Sequence, residues 1–235
     1  MIIPVSWHSS WNAFMNDENV ILALLKIENK LKEQKIFPEA ENVLRFLQKD
    51  LSDVKYIIVG MEPYPSSYDK NGKQIPEATG RSFEVSSITT WTQKFKQSSL
   101  RNILKTIYVN EYNKKETMEN IRKLIENGSF PIKQPKEWFD SLEKQGIMFL
   151  NATLTVKPYN VDSHTELWTN FMNLLIEYIR NLNENVRWLL WGQKAQDRIL
   201  PLISEDEAIC CCHPRLAEFV DFNCFQYTEN INWLG

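Results

Sequence analysis

The sequence predicts an α/β fold: a three-layer sandwich whose central, mostly parallel, four-stranded sheet carries helices on both faces. Two observations lead to this prediction. Four short apolar runs lack the alternation expected of a strand with one solvent face, and longer segments with apolar residues at helical spacing lie between them. The chain has 235 residues, 43% of them hydrophobic, which is enough for a substantial core. We therefore expect one domain over residues 1–235.

The four predicted strands end in small or polar residues. They lie in residues 56–59, 146–156, 186–192 and 208–214. A further short extended segment is predicted at "RSFEV", residues 81–85. Residues 66–80 are rich in Gly, Pro, Ser, Asp and Asn, which predicts an exposed loop.

The predicted helices have charged residues opposite an apolar face. Residues 36–50 have apolar residues at helical spacing, and Pro38 lies near the expected start of that helix. Ser98 is the expected cap of a later helix. The remaining amphipathic segments are residues 19–34, 98–109, 116–127, 165–183 and 194–203.

Composition limits the possible functions. The formal net charge of -3 argues against binding nucleic acid through overall charge, although a local basic patch stays possible. No signal peptide is evident and no run reaches the roughly 18 apolar residues of a membrane span, so we expect a soluble cytoplasmic protein, or a nuclear one in a eukaryotic or viral setting. The cysteines, which we expect to be buried free thiols rather than metal ligands or disulfides, are Cys210, Cys211, Cys212 and Cys224.

Small or polar residues stand at the carboxyl ends of the predicted strands. Glu62, Asn151, Gly192 and His213 occupy these positions. Each alone has an ordinary explanation as a turn, cap or loop residue. Because the carboxyl ends of parallel strands form the crevice where α/β sheets bind ligands, we expect a carboxylate, an amide and an imidazole to meet there.

The segment "GMEPYP", residues 60–65, resembles the water-activating loop G-Q-D-P-Y-H of the common (family 1) uracil-DNA glycosylases. Similar segments follow in the family's order across nearly the whole chain, and they are "SWHSSW", "GRSFEV", "SSLRNI", "GIMFLNATLTV", "VDSHTELWTNF", "WLLWGQKAQ", "CCHPRLAEF" and "INW". The resemblance implies the family's fold and an enzyme that flips deoxyuridine out of DNA and hydrolyses its N-glycosidic bond. The release of uracil would be a step of base excision repair, and the reaction would need no cofactor or metal.

The resemblance also implies roles for the residues around the base. Phe83 would stack on the flipped ring, the Asn151 amide would pair with the uracil edge, and Tyr64 would exclude a thymine methyl. Met61 would lie in the pocket wall. Such a pocket discriminates partly by exclusion.

The catalytic roles fall on Glu62 and His213. Bond breakage places positive charge on the sugar and negative charge on the departing base. Glu62 would orient the attacking water and stabilise the sugar cation, and His213 would donate a hydrogen bond to uracil O2.

The DNA itself would be held by residues on several loops. Leu216 would enter the gap left by the flipped nucleotide, with Arg215 beside it. The implied phosphate-binding residues are Ser98, Ser99, Ser163, Gly192 and Gln193, with Lys157, Lys194 and Arg101 adding positive charge. The implied partner is single- or double-stranded uracil-containing DNA. We expect a monomer that does not bind membranes. A protein inhibitor or a replication protein is a further possible partner.

Several departures concern the chemistry. Glu62 stands where the family has aspartate, Met61 where it has glutamine, Pro65 where it has histidine, and Gln193 where it has serine, while the loop carrying Leu216 is shorter. An extra methylene displaces a carboxylate by more than about 1 Å, which can cost about a hundredfold in rate. Two hypotheses therefore stay open: a working glycosylase, or a weak or inactive homologue that binds DNA or protein.

Overall fold

The structure is a computed structural model that describes residues 1–235. It contains a central sheet of four strands, β1 (Tyr56–Gly60), β4 (Ile147–Asn151), β5 (Arg187–Trp191) and β6 (Ala208–Cys211). Their order in the sheet is β4-β1-β5-β6, and every neighbouring pair is parallel. The predicted α/β sheet is confirmed.

Helices cover both faces of this sheet. Strand β1 shows the two faces clearly, because Ile57 and Val59 belong to one buried cluster while Tyr56 and Ile58 belong to the other. The helices are α1 (Asn12–Met15), α2 (Glu18–Leu31), α3 (Ser98–Tyr112), α4 (Met118–Glu126), α5 (Pro135–Lys144), α6 (Thr165–Leu182), α7 (Gln193–Ile199) and α8 (Glu218–Phe222). Helices α2 and α6 pack on the first face and α3 and α5 on the second, which gives three layers.

A β-hairpin lies within residues 66–80, where the sequence predicted an exposed loop. Strands β2 (Ser67–Lys70) and β3 (Lys73–Pro76) pair in antiparallel fashion around Asn71 and Gly72. Both turn residues have positive φ, 57° and 80°, as a two-residue hairpin turn requires. The prediction was wrong because the Asn-Gly pair is itself a hairpin signal.

Other boundaries also differ from the prediction. Residues 36–50 form short 3-10 turns at Ala40–Asn42 and Arg45–Gln48 instead of one helix. The segment 81–85 is not a strand. Helix α3 has Gln97 at its cap position, so the expected Ser98 cap was wrong by one residue. Helices α1, α5 and α8 were not predicted.

Two expectations from composition can be compared with the structure. All four cysteines are free thiols, but only Cys211 and Cys224 are buried, and Cys210 is exposed. The expectation of a fully buried thiol cluster was therefore wrong. None of the helices combines the length and apolar character that crossing a membrane requires.

Candidate functional site

Strand pairing continues past the end of β1 and fixes the start of the loop that carries Glu62. The backbone N–H of Ala152 donates to the Gly60 carbonyl at 2.8 Å, and that of Thr153 donates to the Met61 carbonyl at 2.9 Å. The chain leaves the sheet only after Met61. Pro63 and Pro65 then restrict the backbone on both sides of Tyr64.

Glu62 is held from the opposite side by the loop that precedes α6. Its Oε2 accepts a hydrogen bond of 2.8 Å from the backbone N–H of Asp162, a residue with φ of 57°. Lys194 Nζ lies 3.7 Å from Asp162 Oδ2 and joins α7 to this loop. Partial burial raises the pKa of Glu62, as does the Asp162 carboxylate, whereas the Asp162 N–H and Lys194 oppose the shift.

Asn151 is paired with Gly60 in the β1–β4 register, at the carboxyl end of the sheet. Asn151 is only 2% exposed. A Cβ on residue 60 would come within 2.4 Å of Asn151 Oδ1 and 2.7 Å of Ser82 Cβ. Glycine at position 60 is therefore what allows the amide and the segment carrying Phe83 to approach each other.

Phe83 sits in an unusual backbone conformation for a bulky residue, with φ of 64°. The preceding Ser82 donates from its hydroxyl to the Ile58 carbonyl at 3.1 Å, which attaches the segment to β1. The Phe83 ring centroid lies 6.4 Å from that of His213 and 5.3 Å from that of Trp191. The ring therefore faces the end of β5 and the imidazole.

His213 follows β6 by two residues and packs against Gly192, where a Cβ would lie 2.7 Å from His213 Cβ. The backbone N–H of Arg215 donates to His213 Nδ1 at 2.9 Å. Burial lowers the pKa of His213, and Arg215 lowers it further. A neutral imidazole whose Nδ1 accepts a hydrogen bond carries its proton on Nε2, so Nε2 is a donor.

Tyr64 packs between the buried cluster on the sheet face covered by α3 and α5 and a small cluster of Phe37, Ala78 and Val156. Burial raises the pKa of its hydroxyl strongly, and Glu77 adds to that shift. The backbone of the next residue is fixed as well, because Tyr159 N–H donates to the Pro65 carbonyl at 2.7 Å.

A cavity of about 840 Å³ opens beside this edge of the sheet. His213 lies in its wall together with Met61, and so do four residues that the sequence indicated for DNA binding: Gly192, Gln193, Arg215 and Leu216. Leu216 is 46% exposed although it is apolar.

The remaining candidates for DNA binding lie outside the walls of that cavity. Ser98 and Ser99 are half-buried at the start of α3. Ser163 Oγ accepts a hydrogen bond of 2.8 Å from the Lys157 N–H, which leaves its hydroxyl hydrogen free to donate.

Sequence reasoning missed two residues of this region. Asp162 contacts Glu62 across 100 positions of sequence, and Asn102 reaches the loop of Leu216 across 112 to 114 positions. Asp and Asn are enriched at positive φ and at turns, but no spacing rule connects either residue with its distant contact.

The fold and this edge define a class of protein, the α/β proteins whose ligand site lies at the carboxyl ends of parallel strands. A scan of protein-family models finds no match. A uracil-DNA glycosylase of Buchnera aphidicola subsp. Baizongia pistaciae is 31% identical over 196 residues, or 81% of this chain and 75% of the relative. The human uracil-DNA glycosylase is 26% identical over 202 residues, or 83% of this chain and 55% of the relative.

Solved structures agree on the fold. The UNG crystal structure from Nitratifractor salsuginis matches with a TM-score of 0.71 at 18% identity, covering 94% of this chain and 90% of that one. The mimivirus UNG variant Y322F, solved in complex with UGI, matches with a TM-score of 0.68 at 20% identity, covering 91% and 73%. The chain belongs to the uracil-DNA glycosylase family.

Proposed function

We propose that this protein excises uracil from DNA by hydrolysing the N-glycosidic bond, with Glu62 in the role of the family's aspartate. One observation carries the proposal: the Phe83 ring lies 6.4 Å from the His213 ring, and Asn151 and the segment of Phe83 meet at Gly60, two residues before Glu62. Family membership supports the same reaction.

The contact between Glu62 and Asp162 offers a physical account of the longer acid. A glutamate can serve at an aspartate position only if its extra rotatable bond is restrained, because catalytic groups need a fixed position. The Asp162 N–H restrains one carboxylate oxygen and leaves the other available to orient water. The carboxylate then faces the sugar as positive charge develops.

Base recognition falls to three side chains. The Asn151 amide offers one donor and one acceptor, which matches the O4 and N3–H edge of uracil and not the corresponding edge of cytosine. Phe83 stacks on the extruded ring, and Tyr64 fills the space that a thymine methyl would need. A base must leave the stack before its glycosidic carbon is accessible.

His213 acts as a neutral hydrogen-bond donor to uracil O2. Its lowered pKa keeps the ring neutral at neutral pH, and the Arg215 N–H on Nδ1 leaves the proton on Nε2. Such a donor gains strength as negative charge develops on the departing base.

The DNA-binding residues form the outer part of the proposed site. Ser98, Ser99, Ser163 and the backbone at Gly192 and Gln193 hold phosphates, and Leu216 enters the stack as a wedge with Arg215 beside it. Two mimivirus UNG variants of similar fold were solved in complex with UGI. We extend the proposal to a protein inhibitor that covers this same face.

The test is excision of uracil from a single-stranded oligonucleotide, detected as alkali-labile abasic sites. The wild-type protein should cleave, and Glu62→Ala should lose activity by at least about a hundredfold because the restrained carboxylate is gone. Glu119→Gln, an exposed acid on α4, is the matched control and should remain fully active.

A second candidate function is a binding module that retains the fold without the chemistry. Glu62 in place of aspartate is the observation that favours it. Wild-type protein that binds uracil-containing DNA in a gel-shift assay and yields no abasic sites would establish this alternative and exclude the enzyme.

A further inference from the structure

Asn102, on α3, makes two hydrogen bonds that the proposed function does not use. Its side-chain Nδ2 donates to the Pro214 carbonyl at 2.8 Å and to the Leu216 carbonyl at 2.9 Å. The residue is only 9% exposed. Both hydrogens of one buried amide group are thus directed at the loop of residues 213–217, here called the wedge loop.

These contacts fix the backbone from which Leu216 projects. A turn bond from Leu216 N–H to the His213 carbonyl, 2.9 Å, closes the wedge loop on itself, and the Asn102 bonds attach it to α3. An apolar side chain can separate stacked bases only if its backbone stays in place when the side chain enters the stack. Leu216 itself touches the DNA in the proposed function, whereas Asn102 would act through it.

Helix α3 also carries the proposed phosphate-binding serines. Ser98 and Ser99 precede Asn102 by four and three residues, which places all three on one face of the helix. One rigid helix therefore joins a phosphate contact to the wedge loop through a single side chain.

We propose that Asn102 is a positioning residue for duplex DNA, holding the wedge loop at a fixed distance from the phosphate contacts at the start of α3. This inference rests on the wedge role of Leu216 in the proposed function. It assigns Asn102 mainly to strand opening, with a smaller effect through His213, because the Pro214 carbonyl and the Arg215 N–H that binds His213 Nδ1 belong to the same peptide group. Duplex and single-stranded substrates separate the two effects, since a single strand has no stack to open.

The experiment compares kcat/KM for uracil in a duplex and in the same sequence as a single strand. Asn102→Ala should lower duplex activity by about tenfold, since two buried hydrogen bonds are lost. Single-strand activity should stay within about twofold. Asn102→Asp, which keeps the shape and removes both donors, should do the same. Asn110→Ala, an exposed residue on the same helix, is the matched control and should change neither value.

A double variant tests whether Asn102 acts through Leu216. In duplex DNA, Leu216→Ala with Asn102→Ala should be no slower than Leu216→Ala alone, because the positioned side chain is already missing. Additive losses, or equal losses on both substrates, would overturn the positioning role. If Leu216→Ala shows no duplex selectivity, the wedge role is wrong; if it does and Asn102→Ala does not, only the present inference is wrong.

Discussion

Two ionisable side chains of the proposed site are shifted toward each other in pKa. Burial raises the pKa of Glu62 from its ordinary 4.5, and burial lowers that of His213 from its ordinary 6.5. The reaction needs the first as a carboxylate and the second as a neutral imidazole. Both required forms are therefore present together at neutral pH, and both are lost on acidification.

The pH dependence of the rate follows from these two shifts. We expect kcat/KM on a single-stranded substrate to be flat near neutrality and to fall as the pH decreases from about 6.5 to about 4.5, since Glu62 and His213 then gain protons. Residual activity of Glu62→Gln should show a shallower fall, because only His213 still titrates. Rates that rise on acidification, with folding checked by circular dichroism, would contradict the assigned protonation states.

Asn151→Asp tests the recognition of the base at the same scale. A carboxylate cannot offer the donor that uracil O4 needs, and a buried site rejects a partner with unmatched polar groups strongly. We expect uracil excision to fall by at least about a hundredfold, with any gained activity directed at cytosine. The measurement is competition between uracil- and cytosine-containing oligonucleotides. Asn127→Asp, at the exposed end of α4, is the control, and unchanged uracil specificity in Asn151→Asp would argue against the amide role.

At the scale of elements, the ends of β1 and β4 determine how closely Asn151 and the segment of Phe83, the proposed recognition residues, approach each other. Gly60 and Asn151 are the last residues of paired parallel strands, so their backbones lie side by side. The amide occupies the space that a side chain at position 60 would take. A side chain added at position 60 would therefore displace the Asn151 amide directly.

Gly60→Ala should disturb the site more than it disturbs the fold. The added methyl must displace Asn151 Oδ1 from 2.4 Å or Ser82 Cβ from 2.7 Å, at a cost of about 1–3 kcal/mol in the free energy of unfolding. A displaced amide should reduce kcat/KM by about a hundredfold.

Gly128→Ala is the matched control for that measurement. It places a methyl at a residue with φ of +78° and no atom within 4 Å, so it strains the backbone far from the site. We expect a loss of stability with unchanged activity per folded molecule. Full activity in folded Gly60→Ala would show that Asn151 does not need its present position.

Sequence patterns were sufficient to predict the strands and helices that contain long apolar runs. The four buried strands, and with them the shared edge of Glu62, Asn151 and His213, were predicted from where each run ends, whereas the order of the strands in the sheet was not. The β2–β3 hairpin and the restraint on Glu62 could not be obtained in this way. They depend on single residues at positive φ, Asn71 and Asp162, and on contacts between loops far apart in sequence.

At the scale of the whole molecule, an ion network centred on the buried Arg81 joins the segment of Phe83 to helix α5. Arg81 is 5% exposed and contacts three acids. It pairs with Glu143 through two hydrogen bonds of 2.8 and 2.6 Å, with Asp140 at 2.6 Å and with Glu84 at 3.0 Å. Lys49 reaches Glu143 as well, at 3.0 Å.

These contacts lower the pKa values of Glu143 and Asp140. Burial raises the pKa of Glu143, but hydrogen bonds from Arg81 and Lys49 outweigh it and lower the pKa below 4.5. For Asp140, hydrogen bonds from Lys136 and Arg81 outweigh partial burial and lower the pKa to about 2. A carboxylate with a lower pKa in the folded state stabilises it above the unfolded pKa, and that contribution disappears as the pH falls through the folded value.

Arg81→Met should therefore destabilise the protein in a pH-dependent way. At neutral pH the variant leaves Glu84 and Glu143 buried without their main partner, which costs about 3–5 kcal/mol of unfolding free energy. The difference from wild type should shrink as the pH falls from about 5 toward about 2, because Glu143 and Asp140, once protonated, no longer need the guanidinium. Urea unfolding at a series of pH values measures this difference in unfolding free energy.

Lys136→Met, which removes only an exposed partner of Asp140, should cost less than about 1 kcal/mol. A pH-independent loss in Arg81→Met would mean that the side chain stabilises the fold by packing alone, and its ion pairs would then contribute nothing to holding the Phe83 segment.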